Sequence, residues 1–196
     1  MIPRAITREE LAALPIQRYE GEVSLVATAG ELERAMEEIR SESVVGFDTE
    51  TRPAFRKGES YLPSLVQVAT ASRVHVFQLA RLEFSAAATE LMSNPAIVKT
   101  GIGLNYDLGR LKRLYPFGTA AVLDLGEVAK RHGFAQSGVR NLAGLFLGFR
   151  IPKGAQTSNW AGPRLSEQQI RYAATDAWAC RELYLRFQDS GMLGPR

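Results

Sequence analysis

Cysteine, histidine and long apolar runs are all scarce in this sequence. Cys180 is the single cysteine, so the chain can form no internal disulfide, and the two histidines offer no His/Cys cluster with zinc spacing. The purely apolar stretches are only a few residues long, far below the roughly 18 to 20 residues that cross a bilayer. The N-terminus also lacks an apolar signal core. We therefore expect no structural zinc, no membrane partner and a cytoplasmic location.

The composition is that of an ordinary folded domain. Hydrophobic residues make up 45% and charged residues 23% of the 196 residues, which is average for globular proteins. No internal repeat or low-complexity linker divides the chain. The sequence therefore predicts a single domain over residues 22–196, preceded by an N-terminal extension of residues 1–21.

Positive charge is concentrated in one stretch of the chain. The formal net charge is only +3, but residues 97–153 carry nine basic and three acidic side chains. Such residues are most often the solvated faces of helices, although together they could form a surface that faces an anion. The basic residues are Lys99, Arg110, Lys112, Arg113, Lys130, Arg131, Arg140, Arg150 and Lys153.

Strand and helix patterns alternate along the chain and predict an α/β fold. Six segments have the pattern of strands: Val23–Ala27, Val44–Glu50, Leu65–Ala69, Val74–Phe77, Ile97–Gly101 and Ala120–Leu123. The third and fourth are joined by a short connection, which suits an antiparallel pair and so predicts a mixed sheet.

Helices are predicted by periodicity and by capping residues. Two capping boxes are clear, Thr28 with Glu31 and Ser166 with Gln169, and residues 150–164 read as a loop because they hold prolines and glycines without periodicity. The predicted helices are Thr7–Ala13, Thr28–Arg40, Glu83–Ser93, Tyr106–Leu114, Gly126–His132, Gly138–Leu147 and a last helix from Ser166 to Gly191.

Carboxylates stand at the ends of two predicted strands. Asp48 and Glu50 are two residues apart at the polar end of an apolar strand, so both point to one face of the sheet. Asp107 follows the strand Ile97–Gly101 in the first turn of a helix. If the two strands are parallel neighbours, these residues share the carboxyl edge of the sheet, where α/β proteins bind ligands. The simpler alternatives are a strand end that reaches solvent and a charge that complements a helix dipole.

A third segment adds a tyrosine and another carboxylate. Tyr172 and Asp176 are four residues apart on the last helix and share a face beside a seam of alanines. Four carboxylates without His or Cys describe a site for a hard cation, Mg²⁺ or Mn²⁺ rather than zinc. Two such ions about 3.5 to 4 Å apart can activate a water and hold the departing oxygen of a phosphoryl transfer. A tyrosine, with a reference pKa near 10, is a poor base but can orient that water.

These segments resemble the motifs of the DEDD superfamily of 3′-5′ exonucleases, in its tyrosine-bearing branch, and are most similar to ribonuclease D and Werner-type exonuclease domains. The three motifs are F-D-T-E at residues 47–50, G-I-G-L-N-Y-D at 101–107 and Y-A-A-T-D-A at 172–177, with S-N-W at 158–160 before the last. The histidine-bearing branch has its histidine five residues before the last aspartate, where this chain has Arg171. Some polymerase proofreading relatives have an asparagine where this chain has Gly103.

The resemblance implies a ribonuclease H-like fold with a mixed five-stranded sheet flanked by helices. It implies that Asp48 bridges two ions, that Glu50 and Asp176 complete the first ion site, and that Asp107 supports the second, partly through water. Tyr172 would orient the nucleophile.

Residues near the motifs are candidates for binding substrate. By family analogy Thr49 would lie near the terminal nucleotide, although a plain strand residue is an equal alternative. Lys153 and Arg164 flank the loop before the last helix and could meet phosphates. Trp160 could stack on a base, or pack the loop onto the body. Asp124, at the end of a strand, is expected to cap the next helix rather than to bind metal.

The function implied is a metal-dependent 3′-5′ exonuclease that releases 5′-mononucleotides from a nucleic acid with a free 3′ end, single-stranded or frayed. The alternative is an inactive nucleic-acid-binding module of the same fold, against which the complete carboxylate set counts. A dinucleotide-binding oxidoreductase is disfavoured, because the glycine fingerprint that begins at Gly101 has Tyr106 at its third glycine position. Whether the substrate is DNA or RNA is left open.

Overall fold

The computed structural model describes residues 2–194. Its centre is a six-stranded mixed sheet, in the spatial order β1-β4-β3-β2-β5-β6. The strands are β1 (Glu22–Val26), β2 (Val44–Glu50), β3 (Leu65–Ala69), β4 (Arg73–Gln78), β5 (Val98–Gly101) and β6 (Val122–Asp124). The helices are α1 (Arg8–Ala13), α2 (Ala29–Arg40), α3 (Ser85–Ser93), α4 (Leu104–Leu111), α5 (Leu125–Arg131), α6 (Val139–Leu142) and α7 (Glu167–Asp189).

The α/β class and the mixed sheet are confirmed, and the sheet has the six strands that the sequence patterns predicted rather than the five that the family resemblance implied. The sixth strand is the three-residue β6, which pairs in parallel with β5 at the sheet edge. Strand β3 is antiparallel to both β2 and β4, and β2 is parallel to β5. The carboxyl ends of β2 and β5 therefore lie at the same edge of the sheet. This is the arrangement under which Asp48, Glu50 and Asp107 were expected to lie close together.

Helices cover both faces of the sheet. One core joins alternate residues of β2 and β3, such as Phe47 and Val66, to helices α2, α3 and α4. On the opposite face α7 packs its alanines, among them Ala173 and Ala177, against Leu65 and Val76. The close approach of α7 requires Gly46, where a Cβ atom would lie 2.0 Å from the carbonyl oxygen of Ala177.

Capping residues fix the helix starts at the predicted places. The capping boxes of Thr28 with Glu31 and of Ser166 with Gln169 are both formed, and Asp124 caps α5 by accepting from the backbone of Gly126 and Glu127. Other boundaries differ from the predictions. Helix α4 starts two residues early, and the predicted helix over residues 138–147 is a short α6 followed by a wider, π-helical turn at Ala143–Leu147.

The segment before β1 lies against the body of the protein over its described residues. It contains α1, and Ile16 forms a parallel bridge with Arg150. Within residues 2–194, no helix is both long and apolar enough to span a membrane.

Candidate active site

Asp48 and Glu50 project from the end of β2 toward α7. They alternate with Thr49 and so share the face of Gly46, on which α7 rests. Helix α7 carries Asp176 one residue before Ala177, the residue that contacts Gly46. The small residues of the β2–α7 contact therefore bring the carboxylate of α7 over the end of the strand.

Three carboxylates form a tight cluster at this contact. One oxygen each from Asp48, Glu50 and Asp176 lies within 4.8 Å of the others. Glu50 is 9% exposed and Asp176 8% exposed, and Asp176 Oδ1 is buried without a hydrogen-bond partner. The cluster thus brings three carboxylate oxygens close together, with one buried oxygen of Asp176 left without a hydrogen bond.

Burial and mutual repulsion disfavour the ionised forms of these groups. Burial, and then the charges of Asp48, Asp176 and Asp107, raise the pKa of Glu50 to about 10. Burial, and then the charges of Asp176 and Asp107, hold the pKa of Asp48 well above its ordinary value. Burial also raises the pKa of Asp176 to about 6, although the Tyr172 hydroxyl and the charge of Arg140 act to lower it. A bound cation would relieve this repulsion.

Asp107 lies beside the cluster rather than within it. It occupies the first turn of α4, and its Oδ1 accepts a hydrogen bond of 2.8 Å from the hydroxyl of Thr49. Burial raises the pKa of Asp107 to about 6, and its charge in turn raises the pKa of Asp48. The structure therefore joins three of the four predicted carboxylates directly and places the fourth within electrostatic reach.

Tyr172 is one helical turn before Asp176 and faces it. Burial, then the charges of Asp176 and Glu50, raise the pKa of Tyr172 well above its ordinary range. The hydroxyl consequently stays protonated at neutral pH and acts as a hydrogen-bond donor or acceptor, not as a base. The role of Tyr172 in orienting a water molecule stays a prediction.

Comparison with known proteins decides the family. A family model described as 3′-5′ exonuclease matches residues 23–191. The chain belongs to the 3′-5′ exonuclease family. This confirms the family that the three motifs resembled, and the divalent-metal chemistry of the family agrees with the acidic cluster.

Two relatives with similar sequences are also named as exonucleases. The chain is 32% identical over 196 residues to a 3′-5′ exonuclease of Arabidopsis thaliana, covering 89% of this chain and 66% of that protein. It is 28% identical over 191 residues to the exonuclease mut-7 homolog of Aedes aegypti, covering 84% of this chain and 26% of that protein. The chain thus spans about two thirds and about a quarter of these relatives.

A solved structure supports the fold. The EXO domain of Nibbler from Aedes aegypti superposes with a TM-score of 0.80 at 23% identity, covering 90% of this chain and 93% of that one.

The donor set of this exonuclease-family chain fits a hard divalent cation. All candidate ligands are carboxylate oxygens, which Mg²⁺ and Mn²⁺ prefer. The unpartnered Asp176 Oδ1 and the raised pKa values of the cluster are both features that a cation would satisfy. Asp48, Glu50 and Asp176 are therefore the residues that could hold a metal, with Asp107 close by.

A cavity of about 900 Å³ opens onto the cluster. Asp48, Asp176 and Tyr172 line it together with four basic side chains. The basic residues are Arg8, Arg140, Arg150 and Lys153. The cavity thus offers a place for a cation and a place for anions next to each other.

The nine basic residues of positions 97–153 do not form one surface that faces an anion. Three of the nine line the cavity: Arg140, Arg150 and Lys153. Lys99 does not face an anion site, because it is 1% exposed and its Nζ donates to the carbonyl oxygen of Asn94. Lys130 is paired with Glu127 on the surface of α5. The basic stretch 97–153 therefore contributes three side chains to the cavity. The sequence analysis did not identify the fourth, Arg8, because it lies in the acidic first quarter of the sequence.

Of the four predicted substrate contacts, Lys153 lines the cavity, whereas Thr49, Trp160 and Arg164 do not. Trp160 is 1% exposed, with its ring centroid 6.0 Å from that of Tyr172, so the ring packs inside and is not accessible to a base. Arg164 lines a different cavity, of about 490 Å³, with Ser166 and Gln169. Of the two alternatives for Trp160, the structure shows packing of the loop onto the body, and the buried ring is not exposed to stack on a base.

Thr49 has a contact that the sequence did not indicate. Its hydroxyl, expected near a nucleotide, donates to Asp107 and fixes that carboxylate.

Gln67 is a second residue near the site that the sequence analysis did not identify. It lies directly opposite Asp48 in the β2–β3 pair, and both polar atoms of its buried carboxamide have no hydrogen-bond partner. An apolar strand pattern with one glutamine opposite the first motif is the signal that could have identified it.

In the presence of chelator, Glu50→Gln is expected to raise the melting temperature. Ionised Glu50 is disfavoured in the folded protein by burial and by neighbouring charges, and the unfolded chain largely escapes this repulsion. A gain of about 1 to 2 kcal/mol corresponds to about 2 to 8 °C for a chain of this size. Thermal melts of the two proteins measure it, with Glu37→Gln, an exposed glutamate on α2, as the matched control.

The gain should grow as the pH rises. Below its ordinary pKa of 4.5, Glu50 is protonated in both the folded and the unfolded chain and does not lower the free energy of unfolding. Above it, the unfolded chain releases the proton while the folded carboxyl, with its pKa of about 10, retains it, so wild type loses stability with rising pH. Glutamine does not titrate. The melting-temperature difference should therefore be larger at about pH 8 than at about pH 5, and equal differences would count against the buried cluster.

Proposed function

We propose that this protein is a divalent-metal-dependent 3′-5′ exonuclease that hydrolyses the terminal phosphodiester bond of DNA or RNA and releases 5′-mononucleotides. The observation that carries the proposal is the three-carboxylate cluster of Asp48, Glu50 and Asp176, set beside Tyr172 in a cavity with basic walls. Family membership supplies the direction of attack.

The roles follow from the positions of the side chains. Asp48, Glu50 and Asp176 would hold the ions, Mg²⁺ or Mn²⁺, and Asp107 would support the second of two. When bound, such ions supply an activated water and stabilise the leaving oxygen. Tyr172, protonated and adjacent to Asp176, would orient the attacking water through a hydrogen bond. Thr49 would keep Asp107 in place through its 2.8 Å hydrogen bond.

The cavity supports a single strand as substrate. Its basic side chains face the same space as the carboxylates, so they would bind the phosphates of a strand whose 3′ end is at the cluster. Phosphate contacts of this kind hold the strand without reading its sequence. A free 3′ end, single-stranded or frayed, is therefore the proposed partner, and the cytoplasmic location stays a prediction of the sequence.

The test compares strands that differ only at the 3′ end. A 5′-labelled oligonucleotide, as DNA and as RNA, is incubated with Mn²⁺ either with a free 3′ hydroxyl or with a 3′ phosphate. The expected result is stepwise shortening of the free strand, release of 5′-mononucleotides and much slower degradation of the blocked strand. Rapid cutting of a circular single strand would contradict an exonuclease. Binding without any shortening would favour the inactive nucleic-acid-binding module.

A further inference from the structure

The first residues of the chain line the catalytic cavity although they lie outside the matched family region. The family model begins at residue 23. Arg8, Leu11 and Ala12, all from α1, line the cavity that also contains Asp48 and Asp176. We call residues 2–21 the N-terminal arm. A part of this chain that the family match does not cover thus forms a wall of its candidate active site.

The path of the N-terminal arm is fixed by hydrogen bonds at both of its ends. The backbone N–H of Ile6 donates to Gln136 Oε1, and Gln136 Nε2 donates back to the carbonyl oxygen of Ile6, both at 2.9 Å. Near the other end, the N–H of Tyr19 donates to Thr175 Oγ1 at 3.0 Å, on helix α7. The arm is therefore tied to the body on either side of α1.

Helix α1 is seated in a specific place between these ties. Thr7 and Glu10 form a capping box at its start. Leu11 packs directly over Gly144 in the turn after α6, where a Cβ atom would lie 2.6 Å from Leu11 Cδ1. A side chain at position 144 would displace Leu11, so the glycine permits this close packing of α1. Arg8 lies on the same helix and lines the cavity.

The N-terminal arm also positions a second basic side chain. The N–H of Arg150 donates to the carbonyl oxygen of Pro15 at 2.9 Å, and the N–H of Gln17 donates to the carbonyl oxygen of Arg150 at 3.1 Å. The side chain of Arg150 donates through Nε to the carbonyl oxygen of Leu14 at 3.2 Å. This leaves the two terminal nitrogens of the guanidinium available to an anion.

The basic wall has no acidic partner among residues 2–194. None of its four members, Arg8, Arg140, Arg150 and Lys153, takes part in an ion pair there. The acidic residues lining the cavity are Asp48 and Asp176, which belong to the proposed metal site. Of the four basic residues, Arg140 lies close enough to Asp176 to lower the pKa of that carboxyl. Four cations that line one cavity and form no ion pair within the described residues favour a ligand that carries several negative charges in a row.

We propose that the N-terminal arm forms a phosphate-binding wall for the part of the strand upstream of the scissile bond, in which Arg8 contacts a phosphate and the arm holds Arg150 for another. The inference rests on the proposed function, since it assumes a nucleic acid whose 3′ end is at the carboxylates. It predicts that the arm acts on binding of longer strands, and that hydrolysis at the cluster does not depend on it.

The experiment measures Arg8→Ala on strands of two lengths. On a labelled single-stranded 12-mer with Mn²⁺, we expect KM to rise about 3- to 20-fold with kcat changed by less than about twofold. Loss of one phosphate contact should also reduce the slope of log KM against log salt by about 0.7. On a dinucleotide, which has one phosphodiester and no upstream phosphate, Arg8→Ala should behave as wild type.

Two further variants serve as controls. Arg8→Lys keeps the charge and should retain most of the affinity. Arg34→Ala removes an exposed arginine from α2, on the opposite face of the sheet from α7, and should change neither KM nor the salt slope. Arg8 is exposed and its side chain is not part of the capping box, so a thermal melt is expected to show that Arg8→Ala is folded.

Failure of the inference is distinguishable from failure of the proposed function. If wild type shortens the 12-mer and Arg8→Ala has the same KM and salt slope, the phosphate-binding wall is overturned and the exonuclease stands. An equal loss on the dinucleotide and the 12-mer would also overturn it. If wild type shortens no strand, the proposed function fails, and fluorescence anisotropy with the same 12-mer still decides the inference. Weaker binding by Arg8→Ala then supports it, and equal binding overturns it.

Discussion

Asp48→Asn is expected to lower kcat by at least about 1000-fold in the presence of saturating Mg²⁺ or Mn²⁺. Asp48 belongs to the three-carboxylate cluster and interacts electrostatically with Asp107, and the family resemblance implies that it would contribute to both proposed ion positions. An asparagine keeps the shape of the side chain but removes the charge that a divalent ion needs. Initial rates on a 5′-labelled single strand measure the loss.

Unfolding of the variant would not account for such a loss. The raised pKa of Asp48 arises from burial and from repulsion by Asp176 and Asp107, so removing its charge should stabilise the metal-free protein. Asp48→Asn is therefore expected to melt at or above the wild-type temperature in chelator while it is inactive. Glu37→Gln should leave the rate unchanged. An Asp48→Asn protein that keeps a tenth of the wild-type rate would exclude Asp48 from the chemistry.

Tyr172→Phe is expected to reduce kcat by about 10- to 1000-fold, less than the loss of a carboxylate. The phenyl ring preserves the packing against Trp160, 6.0 Å away between ring centroids, and only the hydroxyl beside Asp176 is lost. Because the hydroxyl is protonated at neutral pH, its contribution is a hydrogen bond that orients water, not proton abstraction.

The loss of kcat in Tyr172→Phe should be smaller than the loss in Asp48→Asn. The concentration of Mn²⁺ that gives half-maximal rate should be nearly unchanged in Tyr172→Phe, since the three carboxylates of the cluster remain. Rates equal to wild type would remove Tyr172 from the mechanism. A loss as large as that of Asp48→Asn, accompanied by weaker Mn²⁺ dependence, would assign it to metal binding instead.

The sequence predicted those features that depend on local rules. The period of two along β2 correctly placed Asp48 and Glu50 on one face, and the capping boxes fixed the start of α2 and of α7. The predicted start of α4 was two residues late. The helix follows directly after Gly103, which has a φ of 77°. Local patterns do not determine such a left-handed residue unless a turn type is known.

Features that depend on distant contacts could not be predicted. Whether Trp160 is buried depends on how the loop meets Tyr172 and the sheet, not on its neighbours in sequence. The N-terminal arm was predicted only as an extension, because the bonds that tie Ile6 to Gln136 join residues 130 positions apart. Arg8 reaches the site through those contacts, which no periodicity in the first 21 residues encodes.

Titration calorimetry with Mn²⁺ measures whether the carboxylates of β2 and α7 form a shared metal site. Wild type is expected to bind two Mn²⁺ ions per chain without any nucleic acid, whereas Asp48→Asn should largely lose this binding and Glu37→Gln should retain it. Absence of Mn²⁺ binding in wild type, or the same stoichiometry and affinity in Asp48→Asn, would contradict the metal site and the exonuclease mechanism built on it.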